Sequence, residues 1–178
     1  MSVRHASYAE LDAALPQLEQ SPRERGTLSL IVRRPSSGAR EVLDVATLDV
    51  EEGLLGDRWA RGKRRRVNQL TVINARFVAL LTQDRDRWPL AGDQLYVDFD
   101  LSAEHVPPGT RIAVGAAEIE VSPEPHLGCK LFAERYGRDA QRFAGSERGL
   151  ELSLRGINAW VVRGAEVRVG DEVKALFD

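Results

Sequence analysis

The sequence predicts a mainly β protein of the α+β class, with one barrel-like core decorated by short helices. Three observations support this fold. Apolar residues recur with period two in short segments such as TLSLIVRRP (27–35) and DQLYVDFDLS (93–102), which is the pattern of half-buried strands. Turn-forming residues separate these segments at close spacing. At 178 residues and 43% hydrophobic content, the chain is long enough to bury one sizeable core.

The N-terminal segment, residues 1–26, reads as a helical extension of the domain formed by residues 27–178. Ser7 and Glu10 have the S-x-x-E spacing of a capping box, so a short helix is expected over residues 8–15.

The elements of the main domain follow in order along the chain. Residues 27–50 contain two strand-like runs around the turn PSSGAR, which predicts a hairpin. Helices are expected over 74–86, where Asn74 can cap the first turn, and over 129–143. Further strands are expected in QLTVIN, in DQLYVDFDLS, on both sides of Gly115, and in the C-terminal segment, where Gly164 and Gly170 separate them.

The composition excludes several classes of function. Charged residues make up 29% of the chain and the formal net charge is −2, so there is no general attraction to nucleic acid. The N-terminus lacks the apolar run of a signal peptide, and no segment approaches the ~20 apolar residues that cross a membrane. A single cysteine cannot form an internal disulfide. We therefore expect a soluble cytoplasmic protein with no nucleic-acid or membrane partner.

Cys129 is the only cysteine and lies in PHLGCKLF, residues 125–132. A free cysteine is often a small buried hydrophobic residue, so a structural role is one interpretation. The prolines and glycine before it end a strand, which places Cys129 at the start of the next predicted helix. Unpaired backbone N–H groups there, with Lys130 and Arg135 nearby, favour the thiolate, which is the nucleophilic and metal-binding form. His126, three residues earlier, could exchange a proton.

Residues 58–66 concentrate positive charge, and we call them the basic loop. Six of its nine positions are cationic: Arg58, Arg61, Lys63, Arg64, Arg65 and Arg66. Most charge runs are solvated loops, and this is the structural interpretation. The functional interpretation is a site for phosphate or another oxyanion, because guanidinium groups and the N–H groups of nearby glycines suit such ligands. RNA binding is the weaker reading, since Trp59 is the only aromatic residue in the loop.

Four segments in series resemble the MOSC domain, the C-terminal domain of molybdenum cofactor sulfurases. They are EEGLLGDRWARGKRRRVNQLTVIN, LAGDQLYVDFDLS, VPPGTRIAVGAAEIEVSPEPHLGCKLF and RGINAWVVRGAEVRVGDEV, in the family's order over about residues 27–176. The chain has Asp93 where the family pattern has glutamate, and Gly128 where proline more often precedes the cysteine. The resemblance implies a MOSC-type barrel similar to the pyruvate kinase barrel.

The resemblance also implies a function. MOSC domains carry sulfur or the molybdenum cofactor on a cysteine, and some reduce N-hydroxylated compounds with that cysteine bound to molybdenum. For this chain, Cys129 would be the catalytic and metal-binding residue, with His126 as a second catalytic residue. The residues expected to hold the phosphate of the molybdenum cofactor are Gly56, Asp57, Arg58, Arg64, Arg65 and Lys130. Partners would be a small-molecule substrate or cofactor and a sulfur-donor or redox partner protein.

Pyridoxal phosphate, which full-length sulfurases bind in a separate domain, is not expected here. The chain has no room for that domain, and its lysines, Lys63, Lys130 and Lys174, lie in no recognisable Schiff-base motif. Any association with pyridoxal phosphate is inherited from the family. Two alternatives stay open: a non-catalytic anion- or partner-binding module with a structural cysteine, and an RNA-binding accessory protein that uses the basic loop.

Overall fold

The computed structural model describes residues 2–178. Eleven strands are found there: β1 (Gly26–Arg33), β2 (Glu41–Leu43), β3 (Val45–Asp49), β4 (Gly53–Leu54), β5 (Leu70–Asn74), β6 (Leu95–Asp98), β7 (Arg111–Val114), β8 (Ala117–Pro125), β9 (Ile157–Arg163), β10 (Ala165–Arg168) and β11 (Glu172–Leu176). Seven of them close a mixed barrel in the order β1-β11-β7-β8-β9-β5-β6, and β6 pairs again with β1. The predicted fold class is confirmed.

Short helices cover one side of the barrel. The α-helices are α1 (Tyr8–Ala13), α2 (Leu15–Glu19), α3 (Ala75–Leu81), α4 (Lys130–Tyr136), α5 (Arg138–Ala144) and α6 (Glu147–Glu151). Three 3₁₀ turns lie at Arg58–Arg61, Arg66–Asn68 and Arg85–Ala91. The single helix predicted over 129–143 is wrong in one respect. Gly137, at φ 96° and ψ 159°, divides it into α4 and α5, because few other residues adopt that backbone conformation.

The predicted hairpin over residues 27–50 is correct only in its first part. β1 and β2 pair in antiparallel fashion, with Ile31 opposite Leu43. β3 then leaves the barrel and pairs with β10 and β4 in a separate three-stranded sheet. A bend between β2 and β3 therefore divides a run of apolar residues that reads as continuous in the sequence.

β5 and β6 are parallel neighbours in the barrel, and their crossover positions the functional site. Val72 lies opposite Leu95 in this pair. The connection runs through α3 and the 3₁₀ turn Arg85–Ala91, and helix α3 ends at Leu81 rather than at the predicted residue 86. The chain then turns sharply at Gly92 to enter β6.

Two apolar cores stabilise the domain. One fills the barrel and includes the fully buried Leu28, Ile119 and Val161. The other lies between the outer wall of the barrel and the helices, and includes Phe77 and Phe132. Burial of each such side chain contributes on the order of 1.5–3 kcal/mol, so the helices are held against the barrel mainly by this second core.

The N-terminal extension packs into the second core. Leu11 of α1 and Leu18 of α2 are almost fully buried there. Ser7 caps α1 and exchanges hydrogen bonds with Glu10, as the predicted capping box requires. Helix α1 ends at Ala13, two residues before the predicted end.

Candidate active site

Cys129 lies on the surface at the start of α4. The chain leaves β8 at Pro125, and residues 126–129 lead into the helix. Cys129 is the N-cap residue, with an extended backbone, and its carbonyl accepts a hydrogen bond from the backbone N–H of Ala133 at 3.2 Å. The residue is exposed and its thiol is free. Exposure excludes the role of a buried core cysteine and leaves the sulfur accessible to a ligand.

Asp93 is the buried centre of the site. It follows Gly92, whose left-handed conformation (φ 87°) turns the chain into β6. The side chain of Asp93 has no exposed surface, and its Oδ2 accepts a hydrogen bond from Nη1 of Arg155 at 2.7 Å. Arg155 also donates to the carbonyl of Ala91 at 2.9 Å, and its guanidinium carbon lies 4.8 Å from the ring centroid of Phe132. The first turn of α4 thus packs over the Asp93–Arg155 pair.

His126 faces the other oxygen of Asp93. The two atoms, Nδ1 and Oδ1, are 3.4 Å apart, and neither has a hydrogen-bond partner in the described part of the chain. Burial lowers the pKa of His126 to about 4; the charge of Asp93 opposes this shift, and the charges of Arg155 and Arg34 add to it. The imidazole is therefore neutral at pH 7, so its contact with Asp93 is not an ion pair. A neutral imidazole held beside a carboxylate can accept a proton.

Gly156 permits this close approach of Asp93 and His126. It has φ 108°, and a Cβ there would lie 2.5 Å from the carbonyl oxygen of Val72. The same Cβ would lie 3.3 Å from both Oδ1 of Asp93 and Nδ1 of His126. Any side chain at this position would therefore clash with the barrel wall and crowd the pair.

Arg34 joins this site to the basic loop. Its Nε and Nη2 donate to the two carboxylate oxygens of Asp57 at 2.9 Å each, and its Nη1 donates to the carbonyl of Gly92 at 3.2 Å. Asp57 is fully buried and also accepts the N–H of Trp59, which caps the first 3₁₀ turn. Burial raises the pKa of Asp57, but the hydrogen bonds and charge of Arg34 outweigh burial and lower it. Asp57 is an ionised anchor whose oxygens are bound by protein donors.

Arg34, Arg40 and Arg135 lie around Gly92, and Arg58 is joined to them by the hydrogen bond from its backbone N–H to the carbonyl of Arg34 at 2.7 Å. We call these four residues the arginine cluster. Nη1 of Arg135 and Nη2 of Arg40 each lie 3.7 Å from the position of a Cβ on Gly92. Burial lowers the pKa of the half-buried Arg40, and the charges of Arg135, Arg34 and Arg58 lower it further. Within residues 2–178, only Arg34 of the four has a carboxylate within 4.0 Å. Arg40 and Arg135 donate to backbone carbonyls, which carry no net charge. This uncompensated positive charge favours a bound anion.

The arginines of the basic loop are exposed, and three of them are also held by contacts of their side chains. The guanidinium groups of Arg61 and Arg64 donate to backbone carbonyls, that of Arg64 at 2.9 Å. Arg65 forms an ion pair with Glu124 near the end of β8, at 3.0 Å. The pair of Arg65 and Glu124 compensates part of the loop's positive charge and brings the loop near the segment that leads to Cys129.

The sequence matches the MOSC domain family over residues 68–174, more than half of the chain. The chain belongs to the MOSC family. No curated protein sequence matches it.

Several solved structures share the fold of this chain. The YUAD protein from Bacillus subtilis has a TM-score of 0.62 and 17% identity, over 86% of this chain and 96% of that chain. YiiM from Escherichia coli has a TM-score of 0.55 and 18% identity, over 85% and 70% of the two chains. YiiM from Geobacillus stearothermophilus has a TM-score of 0.55 and 10% identity, over 85% and 75%. At these identities the likeness concerns the fold.

The MOSC fold brings some of the predicted site residues together and separates others. His126 contacts Asp93. Asp57 is bound by Arg34, which also donates to the carbonyl of Gly92 beside Asp93. Arg58 belongs to the arginine cluster. Lys130 is exposed, 3.7 Å from a carboxylate of its own helix. Gly56 has φ 83° and lies against the side chain of Arg33, so its role is to permit the backbone turn at this position. The roles of these residues in binding a cofactor stay predictions.

Sequence reasoning missed four residues of the candidate site: Arg34, Arg40, Asp93 and Arg155. Each is far in sequence from Cys129 or from the basic loop, and each pairs with a group that the fold brings near. Arg155 had a usable signal, because it opens the family-like segment RGINAWVVRG just before β9. Arg34 and Arg40 lie outside the matched residues 68–174 and had no such signal.

The MOSC chain offers few other metal ligands. No group of three or more His, Cys, Asp and Glu side chains suited to a metal ion is found in residues 2–178. A metal at Cys129 would therefore need most of its ligands from a cofactor. None of the helices described in residues 2–178 is long and apolar enough to span a membrane.

Proposed function

We propose that this MOSC protein holds a molybdenum cofactor, with the Cys129 thiolate as metal ligand and the arginine cluster as the site for the cofactor's phosphate. One observation carries the proposal: helix α4 has an exposed thiol at its start and a member of the cluster, Arg135, in its last turn. The rise of an α-helix places their Cα atoms about 9 Å apart along the axis. A single rigid element thus presents a metal ligand and an anion ligand.

The residues present fit such a group chemically. A thiolate is a soft ligand suited to a metal that takes sulfur donors. Guanidinium groups bind phosphate in bidentate fashion, and Arg40 and Arg135 converge on Gly92 without a carboxylate partner in the described residues. A phosphate there would also offset the charge repulsion that lowers the pKa of Arg40.

When bound, the cofactor would supply two-electron redox chemistry, and the family resemblance indicates reduction of small N-hydroxylated compounds. The chain's own residues would exchange the protons of that reaction. The neutral imidazole of His126 would accept a proton and then pass it on, and Asp93, held by Arg155, would fix its orientation. Because the chain has one cysteine and no dithiol, the electrons would come from a separate redox partner protein.

The test is the molybdenum content of the protein purified from its own host, measured by mass spectrometry. The wild-type protein is expected to retain molybdenum, and Cys129→Ser is expected to lose it. Because Cys129 is exposed, this substitution should change the unfolding free energy by less than about 0.5 kcal/mol. Ala133→Ser, which adds a hydroxyl to the same helix, is the matched control and should retain the metal.

Two outcomes would contradict the proposal. One is a wild-type protein without molybdenum. The other is equal molybdenum in wild type and Cys129→Ser. A Cys129 residue that instead gains the mass of one sulfur atom after incubation with a persulfide donor would favour sulfur carriage.

A further inference from the structure

A cavity of about 190 Å³ lies beside His126. It is bounded by the end of β8, by α6 and by the loop that enters β9. Its walls are mostly apolar, and they include Val106, Val121, Leu150, Leu154 and Ile157. The volume is near that of the ~150 Å³ cavities known to accept benzene, so the space suits a molecule of one ring or two compact rings.

The charged groups on the wall are compensated. Arg155 pairs with Asp93 at 2.7 Å, and Glu124 pairs with Arg65 at 3.0 Å. A charged ligand would therefore lose its hydration without gaining an unpaired partner, and a neutral ligand is favoured. The arginine cluster differs from the cavity, because its uncompensated positive charge favours an anion.

The imidazole of His126 provides a polar group at the cavity wall. Its Nδ1 is buried and faces Asp93, while the side chain keeps 18% of its surface exposed. The exposed part is therefore the edge that carries Nε2. A ligand in the cavity can form a hydrogen bond with this edge.

Cys129 lies close to the rim of the cavity. Leu127 is part of the lining, and Cys129 follows it by two residues. Because consecutive Cα atoms are 3.8 Å apart, the two Cα atoms are separated by at most about 7.6 Å. Cys129 is therefore near enough for a bound ligand to affect access to its thiol, which alkylation of Cys129 measures.

We propose that this cavity is the substrate pocket of the Cys129 site and accepts a small neutral molecule of one or two rings. The inference rests on the proposed function only in assigning the reaction to Cys129. The pocket itself is defined by its volume, its compensated charges and the edge of His126.

Indole serves as the probe, and its binding is measured by saturation-transfer NMR on the purified chain without added cofactor. Wild type is expected to bind indole saturably and to bind benzoate, a charged ring, at least about tenfold more weakly. Leu150→Trp, at a half-exposed position of the wall, should fill the cavity mouth and weaken indole binding at least tenfold. Leu131→Trp is the matched control: Leu131 is similarly exposed but lies outside the lining, so its indole binding should change less than about twofold.

A second readout tests whether the pocket belongs to Cys129. Indole should slow alkylation of Cys129 by iodoacetamide at least about twofold in wild type and Leu131→Trp, but not in Leu150→Trp. Absence of indole binding, equal loss in both tryptophan variants, or an unchanged alkylation rate would each overturn the inference. Both readouts are made on protein produced in a host that cannot synthesise the molybdenum cofactor, so Cys129 is free to react and failure of the proposed cofactor leaves their result interpretable.

Discussion

The basic loop and the buried site around Gly92 and Asp93 are both rich in arginine, but they hold their charges differently. In the basic loop, Arg64 and Arg65 are exposed and bind a carbonyl or a carboxylate. Around Gly92, Arg40 and Arg135 are half-buried and donate to backbone carbonyls, with no carboxylate within 4.0 Å among residues 2–178. Charges removed from water interact more strongly than exposed ones, so we expect the half-buried cluster to bind an anion more strongly than the basic loop does.

The comparison shows that charge density along the sequence differs from charge density in space. The basic loop supplies six cations in nine positions, yet only Arg58 of these joins the arginine cluster. The other members come from the loop after β1 and from helix α4. The pairing of β1 with β6 and the contacts of α4 with the turn Arg85–Ala91 bring these separate segments together at Gly92.

The largest expected difference between the two regions concerns their glycines. Gly156→Ala should destabilise the protein by roughly 3 kcal/mol, because its Cβ would lie 2.5 Å from a backbone oxygen at φ 108°. Gly62→Ala in the basic loop should cost less than about 0.5 kcal/mol, since its Cβ would meet its nearest atom at 3.5 Å, an ordinary contact. Urea unfolding measures both. Equal costs would show that the buried site tolerates expansion as the loop does.

The next effect is the pH dependence of stability that burial of His126 creates. The pKa of this group is about 4 in the folded protein, against about 6.5 when unfolded, so the unfolded chain binds more protons between these values. Its stabilising contribution is present above about pH 6.5 and is lost as the pH falls toward 4. Between pH 7.5 and 5, the wild type should lose roughly 2 kcal/mol more than His126→Gln.

Unfolding free energies at a series of pH values measure this difference. His5→Gln, at an exposed position, is the control and should keep the wild-type slope. Parallel curves for wild type and His126→Gln would mean that His126 is not held neutral by burial.

The smallest effect compares one arginine from each region. Arg135→Gln should weaken binding of inorganic pyrophosphate about tenfold, because it removes one charge-assisted contact from the cluster. Arg64→Gln makes the same chemical change in the basic loop and should weaken binding less than about threefold, because exposed charges are screened. Isothermal titration calorimetry measures both affinities. A larger loss of pyrophosphate affinity for Arg64→Gln than for Arg135→Gln would indicate that the anion binds at the basic loop.

Much of the fold could be predicted because strand periodicity is a local signal. The segment QLTVIN became β5, and the glycines at 115, 164 and 170 separate strands as expected. The structure departs from the predicted elements where contacts between distant segments determine the path of the backbone. The bend after β2 sends β3 to a second sheet, and Gly137 divides a helix whose apolar spacing reads as continuous.

The site was predicted in part for a similar reason. Cys129 and His126 share one short segment, and glycine and proline punctuation placed the cysteine correctly at a helix start. Asp93, Arg40 and Arg155 could not be combined with them from spacing alone, because these residues come together only when strands β1, β6, β5 and β9 pair in the barrel. Asp57 was assigned to a cofactor, but its oxygens are bound by Arg34 and a backbone N–H.

The ring of strands is completed by a short contact between β1 and β11, in which Gly26 lies opposite Val173 and Thr27 opposite Glu172. During synthesis, the start of β1 therefore leaves the ribosome long before β11 exists, and Gly26 and Thr27 stay unpaired on that edge until about residue 173 has been made, whereas Ile31–Arg33 can pair earlier with β2. Contacts this distant in sequence slow folding, since the intervening chain must be ordered before they form. Arg34 and Arg135 are also far apart in the sequence, so a nascent chain carries some of the arginines of the candidate site before it can form the site.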